Sequence, residues 1–185
     1  RAVPGTTVAG TDVSGKSRQE VVAAIEERAK STKVDISGDV TASASLTDLG
    51  TTVDAQATAD AVMARGDTLG EKLRALVSQG KSEVPVVSTT DKTKVSSYAT
   101  SLIPEDRAKA RNATVILSED GTTFTTTSSA KGSSLDANAL AQAAQKAATS
   151  LDSSSISLKI TDAAPKVSDS DAQKVADKAN SWVSQ

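Results

Sequence analysis

The sequence predicts an α+β fold built as two tandem repeats of helix, hairpin, helix and strand, with antiparallel sheets and helices packed on one face. Three observations predict it. A nine-residue pattern, V-S-x-x-[SD]-x-x-[EK]-V, starts at Val13, Val87 and Val167, a spacing that marks a duplicated structural unit. Each copy is followed by apolar residues at helical spacing, and after the first two copies the period changes to strand-like alternation. Both hairpins then run into a shared junction, G-x-x-[VL]-D, at Gly50–Asp54 and Gly132–Asp136. The first repeat is assigned to residues 1–90. The second covers 91–185 and includes a C-terminal capped helix that either closes it or opens a third unit.

The repeated pattern reads as a helix start. Ser17 stands at the N-cap position and Glu20, three residues on, completes a capping box. Asp91 and Asp171 occupy the equivalent cap, although Lys94 and Lys174 cannot return the acceptor contact. The stripes behind them are Val21, Val22, Ile25 and Ala29; then Val95, Tyr98, Ala99 and Leu102; then Ala172, Val175, Ala176, Ala179, Trp182 and Val183. Trp182 shares the stripe of Val175 and Ala179, so it is expected in the core rather than on a stacking surface.

After the first helix, Val34-Asp35-Ile36 and then Val40, Ala42, Ala44 and Leu46 alternate as strands about a Gly38-Asp39 turn. After the second, Thr114–Leu117 and Thr122–Thr127 flank Asp120-Gly121, a hairpin turn signal. The junction aspartates Asp54 and Asp136 begin or cap Ala-rich helices, where their charge suits the helix dipole. The later one carries Leu140, Ala143, Ala144, Ala147 and Leu151. The earlier one is split: a piece around Ala57, Ala61 and Val62 stops near Gly66, and a second piece bears Leu69, Leu73, Leu76 and Val77. Strands at Val84–Val87 and Ser155–Thr161 close the units, with Pro85 and Pro165 at edges or strand ends.

Composition excludes several functions. The chain has no Cys and no His, which removes thiolate chemistry, Cys- or His-based metal sites and the commonest general base. Its 21 basic and 23 acidic residues leave a formal charge of −2, with no basic stripe for nucleic acid. Apolar runs are too short to span a membrane. One Tyr, one Phe and one Trp cannot furnish a stacking platform in each repeat. Ala, Ser and Thr make up about two-fifths of the chain, a composition compatible with a secreted, wall-associated bacterial protein.

The acidic residues have ordinary explanations. Glu26-Glu27 lie on an outer helix face beside Arg28 and Lys30, a solvated charged surface. Glu119-Asp120 sits on a hairpin tip, and Asp169 and Asp171 straddle a helix start. Gly5, Gly10 and Gly15 lack the strand–glycine loop–helix context of a phosphate cradle and read as turns. Ser168-Asp169-Ser170 has no Ser-Lys context. The residues therefore name no catalytic group, no metal ligand and no cofactor, and they identify no binding residue.

The opening stretch Pro4-Gly5-Thr6-Thr7-Val8-Ala9-Gly10-Thr11-Asp12-Val13-Ser14-Gly15-Lys16-Ser17, followed by Glu20-Val21, reads P-G-x-x-V-x-G-x-D-V-S-G-x-[ST]. It resembles the peptidoglycan-binding repeat that precedes the YkuD-like catalytic domain of L,D-transpeptidases and the VanW-type domains of Gram-positive and actinobacterial envelope proteins. Asp48-Leu49-Gly50 with Val53-Asp54, and Gly132 to Asp136, are similar to that family's internal pattern. The resemblance implies a non-catalytic extracytoplasmic module in the cell envelope, with peptidoglycan and its own downstream domain as partners. It also implies a membrane anchor before Arg1 and a transpeptidase or VanW-type domain after Gln185. The transpeptidase's Cys and His apparatus is missing, so no catalysis carries over. The alternative is a structural spacer or protein-interaction scaffold without glycan binding; a hydrolase with paired carboxylates is a third reading.

Overall fold

A computed structural model describes residues 1–65, 82–107 and 110–183. The split-helix residues Leu69, Leu73, Leu76 and Val77, with Gly66, lie outside them. The described elements are strands β1 (Thr6–Val8) and β2 (Thr11–Asp12), helix α1 (Arg18–Ser31), β3 (Lys33–Gly38), β4 (Ala42–Ser45), β5 (Thr51–Val53) and α2 (Ala55–Ala64). There follow β6 (Ser82–Val84), β7 (Ser88–Thr90), α3 (Lys92–Ser101), β8 (Thr114–Leu117), β9 (Phe124–Thr127) and β10 (Gly132–Ser134). The chain then forms α4 (Ala137–Ser150), β11 (Ser154–Leu158), β12 (Thr161–Ala163) and α5 (Asp169–Val183). The class is mixed α+β, with five helices among the described residues and several small sheets.

Local chemistry starts the helices largely where the sequence places them. At α1 the Ser17 hydroxyl accepts from the Glu20 N–H, and the Glu20 carboxylate accepts from the Ser17 N–H at 2.7 Å. Asp54 and Asp136 cap α2 and α4 by accepting from Ala57 N–H and Ala139 N–H at 2.8 and 2.9 Å. Asp91 accepts from Thr93 and Lys94 N–H at the start of α3. The third copy differs. Its helix begins at Asp169, so the cap is Ser168, whose Oγ accepts from Asp171 N–H while the Asp171 carboxylate accepts from the hydroxyl. Asp171 thus stands inside the first turn, where a negative charge suits the exposed N–H groups.

The chain divides into two compact units, Arg1–Tyr98 with Asp136–Leu158, and Ala99–Leu135 with Lys159–Gln185. The boundary suggested by the repeats, between 90 and 91, does not coincide with this division. The sheets are also not all antiparallel, as the sequence suggests they should be. In the first unit β3 pairs with β4 antiparallel but with β11 in parallel, Val34 facing Ser154 and Ile36 facing Ile156. Likewise β1 pairs with β2 antiparallel and with β6 in parallel. Parallel pairing needs a long crossover, and helix-containing connections separate each of these partners.

The first unit carries two groups of buried side chains. Val8, Val13, Val21, Val22, Ile25, Ala59, Val62, Val84 and Leu151 pack into one cluster. Val34, Ile36, Ala44, Leu46, Leu140, Ala144, Ala147 and Leu158 are buried where α4 meets β3 and β11. Gly38 ends β3 with φ +104°, and a Cβ there would come within 2.3 Å of the Leu158 carbonyl oxygen, so only glycine fits.

In the second unit α5 covers the β8–β9 hairpin, and β10 pairs with β12. Its buried apolar residues among those described are Ala99, Ile103, Ala113, Leu135, Ala172 and Ala176. Trp182 is not in a core: it is 68% exposed, with the Lys178 ammonium 5.3 Å from its ring centroid. Val175, the counterpart of the fully buried Val21 and Val95, is 59% exposed. Small alanines bring α5 close to β9, and Asn180 bonds both backbone groups of Phe124, so a two-stranded hairpin covers a narrower face than the apolar stripe offers.

Candidate functional site

The carboxylates weighed from sequence do not converge. Among the described residues no three acidic groups cluster as metal ligands would. Asp120 accepts from the Ser118 hydroxyl and Thr122 N–H inside the β8–β9 turn. Asp169 accepts from Ser129 N–H, and Asp171 belongs to the cap of α5. Gly5, Gly10 and Gly15 all have positive φ, as turns require, and Gly5 N–H donates to the Ser14 hydroxyl.

Electrostatics agree with structural roles. A hydrogen bond from the Thr7 hydroxyl, helped by Gly10 and Ala9 N–H, holds the Glu83 carboxyl below its usual range. Asp60 is lowered by its Arg18 partner, Asp48 by Ser45 N–H, Glu20 by Ser17 N–H and Asp120 by the Ser118 hydroxyl. Asp169 is lowered by Ser129 N–H and Asp171 by the Ser168 hydroxyl. Each of these groups is stabilised as an anion, the opposite of what a general acid working near neutrality needs.

An open groove in the first unit is the candidate site. One part, about 350 Å³, is lined by Glu26, Ala29 and Lys30 of α1, by Leu46 and Thr47, and by Thr51–Val53 of β5. An adjoining part of about 330 Å³ shares Glu26, Thr52 and Val53 and extends to Gln56, Val87 and Thr89. Volumes of this order suit a small ligand. Strand alternation separates the two faces of the β5–β7 pair. Thr51, Ser88 and Thr90 serve the face toward α4, where Gln145 bonds Ser88 and Thr90, whereas Thr52 and Thr89 are exposed.

Sequence reasoning placed Glu26 on a solvated face and left the binding residues unidentified. Residues 26–30, 46–56 and 87–89 share no local motif, and folding alone brings them together. The legible trace was the i,i+4 pair Glu26 and Lys30. These features describe an α+β chain with a hydroxyl-lined, zwitterionic groove and no assembled catalytic constellation among the described residues. No family model, curated protein or solved structure matches the chain.

Proposed function

We propose that the chain is a non-catalytic extracytoplasmic module of a cell-envelope protein, a tandem duplication that binds peptidoglycan and positions a downstream L,D-transpeptidase or VanW-type domain. Apart from β7, which lies between the two runs, the described order α1-β3-β4-β5-α2-β6 is followed by α3-β8-β9-β10-α4-β11, which supports duplication of a helix–hairpin–helix–strand unit. In this reading the family-like opening is a scaffold. Gly5, Gly10 and Gly15 turn the chain, Val8 and Val13 enter the core, and Ser17 starts α1.

The observation that carries the proposal is the contrast between committed and uncommitted polar groups. The anion-stabilised carboxylates close turns, caps and ion pairs, while the groove by α1 and β5 stays open and lined with hydroxyls. Sedimentation with purified cell-wall sacculi tests it; protein that stays in the supernatant at low salt refutes wall binding. The spacer reading draws on a different fact, that none of Tyr98, Phe124 and Trp182 lines the groove. It requires that muropeptides leave every amide resonance unmoved.

A further inference from the structure

We propose that the groove between α1 and the open edge of β5 binds a short extended peptide with a free amine and a free carboxylate. This rests on the envelope reading in one respect: it identifies the ligand as a peptidoglycan stem peptide rather than the glycan strand.

The backbone supplies the first argument. Asp54 N–H donates to the Val87 carbonyl at 2.8 Å, and Asp91 N–H donates to the Gly50 carbonyl at 3.0 Å. In an antiparallel ladder that parity turns the bonding groups of residues 50, 52 and 54 toward β7 and those of 51 and 53 away from it. The Thr51 and Thr90 hydroxyls, 2.9 Å apart, fit this parity, because side chains approach most closely in non-hydrogen-bonded pairs. On the outer edge Thr51 N–H is taken by the Leu46 carbonyl at 2.8 Å. Val53 N–H and C=O have no partner among the described residues, and Val53 lines both parts of the groove. A strand edge of this kind is completed by an extended peptide, whose main chain supplies the complementary donor and acceptor.

Charge supplies the second argument. Glu26 and Lys30 stand one turn apart on the α1 wall, and no ion pair joins either to another described side chain. A ligand amine meets the carboxylate and a ligand carboxylate meets the ammonium. Thr47, Thr52 and Thr89 add hydroxyls that donate or accept, and Val87, 40% exposed, offers an apolar spot for a small side chain. A glycan strand would need ring-stacking surfaces, and the groove has no aromatic residue.

The test is an amide-resonance titration of the whole chain with three probes: the free tetrapeptide L-Ala–γ-D-Glu–L-Lys–D-Ala, the same peptide with blocked amines and carboxyls, and an N-acetylglucosamine tetramer. The free peptide is expected to move Ala29, Lys30, Thr52 and Val53 with a Kd of about 1 mM, and the other two probes to leave them in place. The double variant Glu26→Gln, Lys30→Gln alters exposed side chains and should keep the wild-type spectrum away from the groove. Its Kd should be roughly threefold to tenfold weaker, the scale of two exposed charge contacts. Thr52→Arg, which fills the groove, should abolish the shifts.

Equal affinity for the blocked peptide, equal affinity of the double variant, or shifts confined to other residues would overturn the proposal. Sacculus sedimentation separates the two readings. If wild type and double variant sediment alike, the groove assignment fails and the envelope module stands. If wild type does not sediment but the groove still titrates, the wall reading fails and the peptide site stands.

Discussion

Among the described residues two non-glycines adopt left-handed backbone, Ala9 with φ 47° and Leu151 with φ 49°, and one side chain holds the carbonyls of both. Arg28 Nη1 donates to the Ala9 carbonyl at 2.9 Å and to the Thr11 hydroxyl at 2.6 Å. Its Nη2 donates to the carbonyls of Ser150 and Leu151 at 3.2 Å each and to Asp152 at 3.0 Å. The left-handed conformation costs a residue with a Cβ roughly 1–2 kcal/mol, so the guanidinium fork offsets strain at two places while placing a cation at the C-terminal end of α4. Arg28→Met should therefore destabilise the protein by about 2–3 kcal/mol in urea titration, the scale of losing several partly buried charged hydrogen bonds. Arg28→Lys should recover less than half, because an ammonium cannot span both carbonyl sets. A loss below about 0.5 kcal/mol, the range of ordinary surface substitutions, would contradict this account.

Among the elements, α5 shows where sequence patterning and packing part company. Its apolar stripe is wide, yet the residues that reach the hairpin are Ala172 and Ala176, with Asn180 bonding Phe124. Ala176→Asp should cost about 3 kcal/mol or more, since a carboxylate would enter a fully buried site. Trp182→Ser should change stability by less than about 0.5 kcal/mol. Thermal unfolding of the two variants checks both, and a large loss from Trp182→Ser would put that ring back in a core. The helix starts at Ser17, Asp54, Asp91 and Asp136 were legible because a cap is decided by neighbours a few residues away. The β3–β4 and β8–β9 hairpins were legible from alternation about glycine turns. By contrast β5, β7 and β10 are short runs dominated by Ser and Thr, and β12 is Thr161-Asp162-Ala163, all with too little apolar contrast to show a period. Their pairing depends on partners tens of residues distant, as does the parallel match of β3 with β11. The groove is not legible in the sequence for the same reason: α1, β5 and the segment before α3 mean nothing locally until the fold joins them.

At the scale of the whole molecule the two units differ in how much core they own. The first buries branched side chains such as Val21, Val34, Val62, Leu49 and Leu140 completely, whereas four of the second unit's six buried apolar residues, among those described, are alanine. Lower local burial implies cheaper opening, so amides of β8, β9 and α5 should exchange hydrogen faster than those of α1, β3 and β11. Uniform protection across both sets would contradict that ranking. The response to pH is also set globally, by which titratable groups exist. There is no histidine, so no imidazole changes charge between about pH 6 and 7.5. Glu20, Asp48, Asp60, Glu83, Asp120, Asp169 and Asp171 are all held below their ordinary values by donors in the folded chain. A group with a lowered folded pKa contributes its full stabilisation while it is ionised in both states. As pH falls past the unfolded value, the unfolded chain takes up protons first, and the contribution drains away until the folded group is protonated too. Ordinary unfolded values are about 4.3 for a glutamate such as Glu83 and about 3.9 for an aspartate such as Asp60. Urea midpoints should thus be flat from about pH 6 to 7.5 and decline steadily below about pH 5. Glu83→Gln should soften the decline without moving the plateau's slope. A midpoint that climbs on acidification, or a step near pH 6.5, would show that a group other than these carboxylates governs the balance.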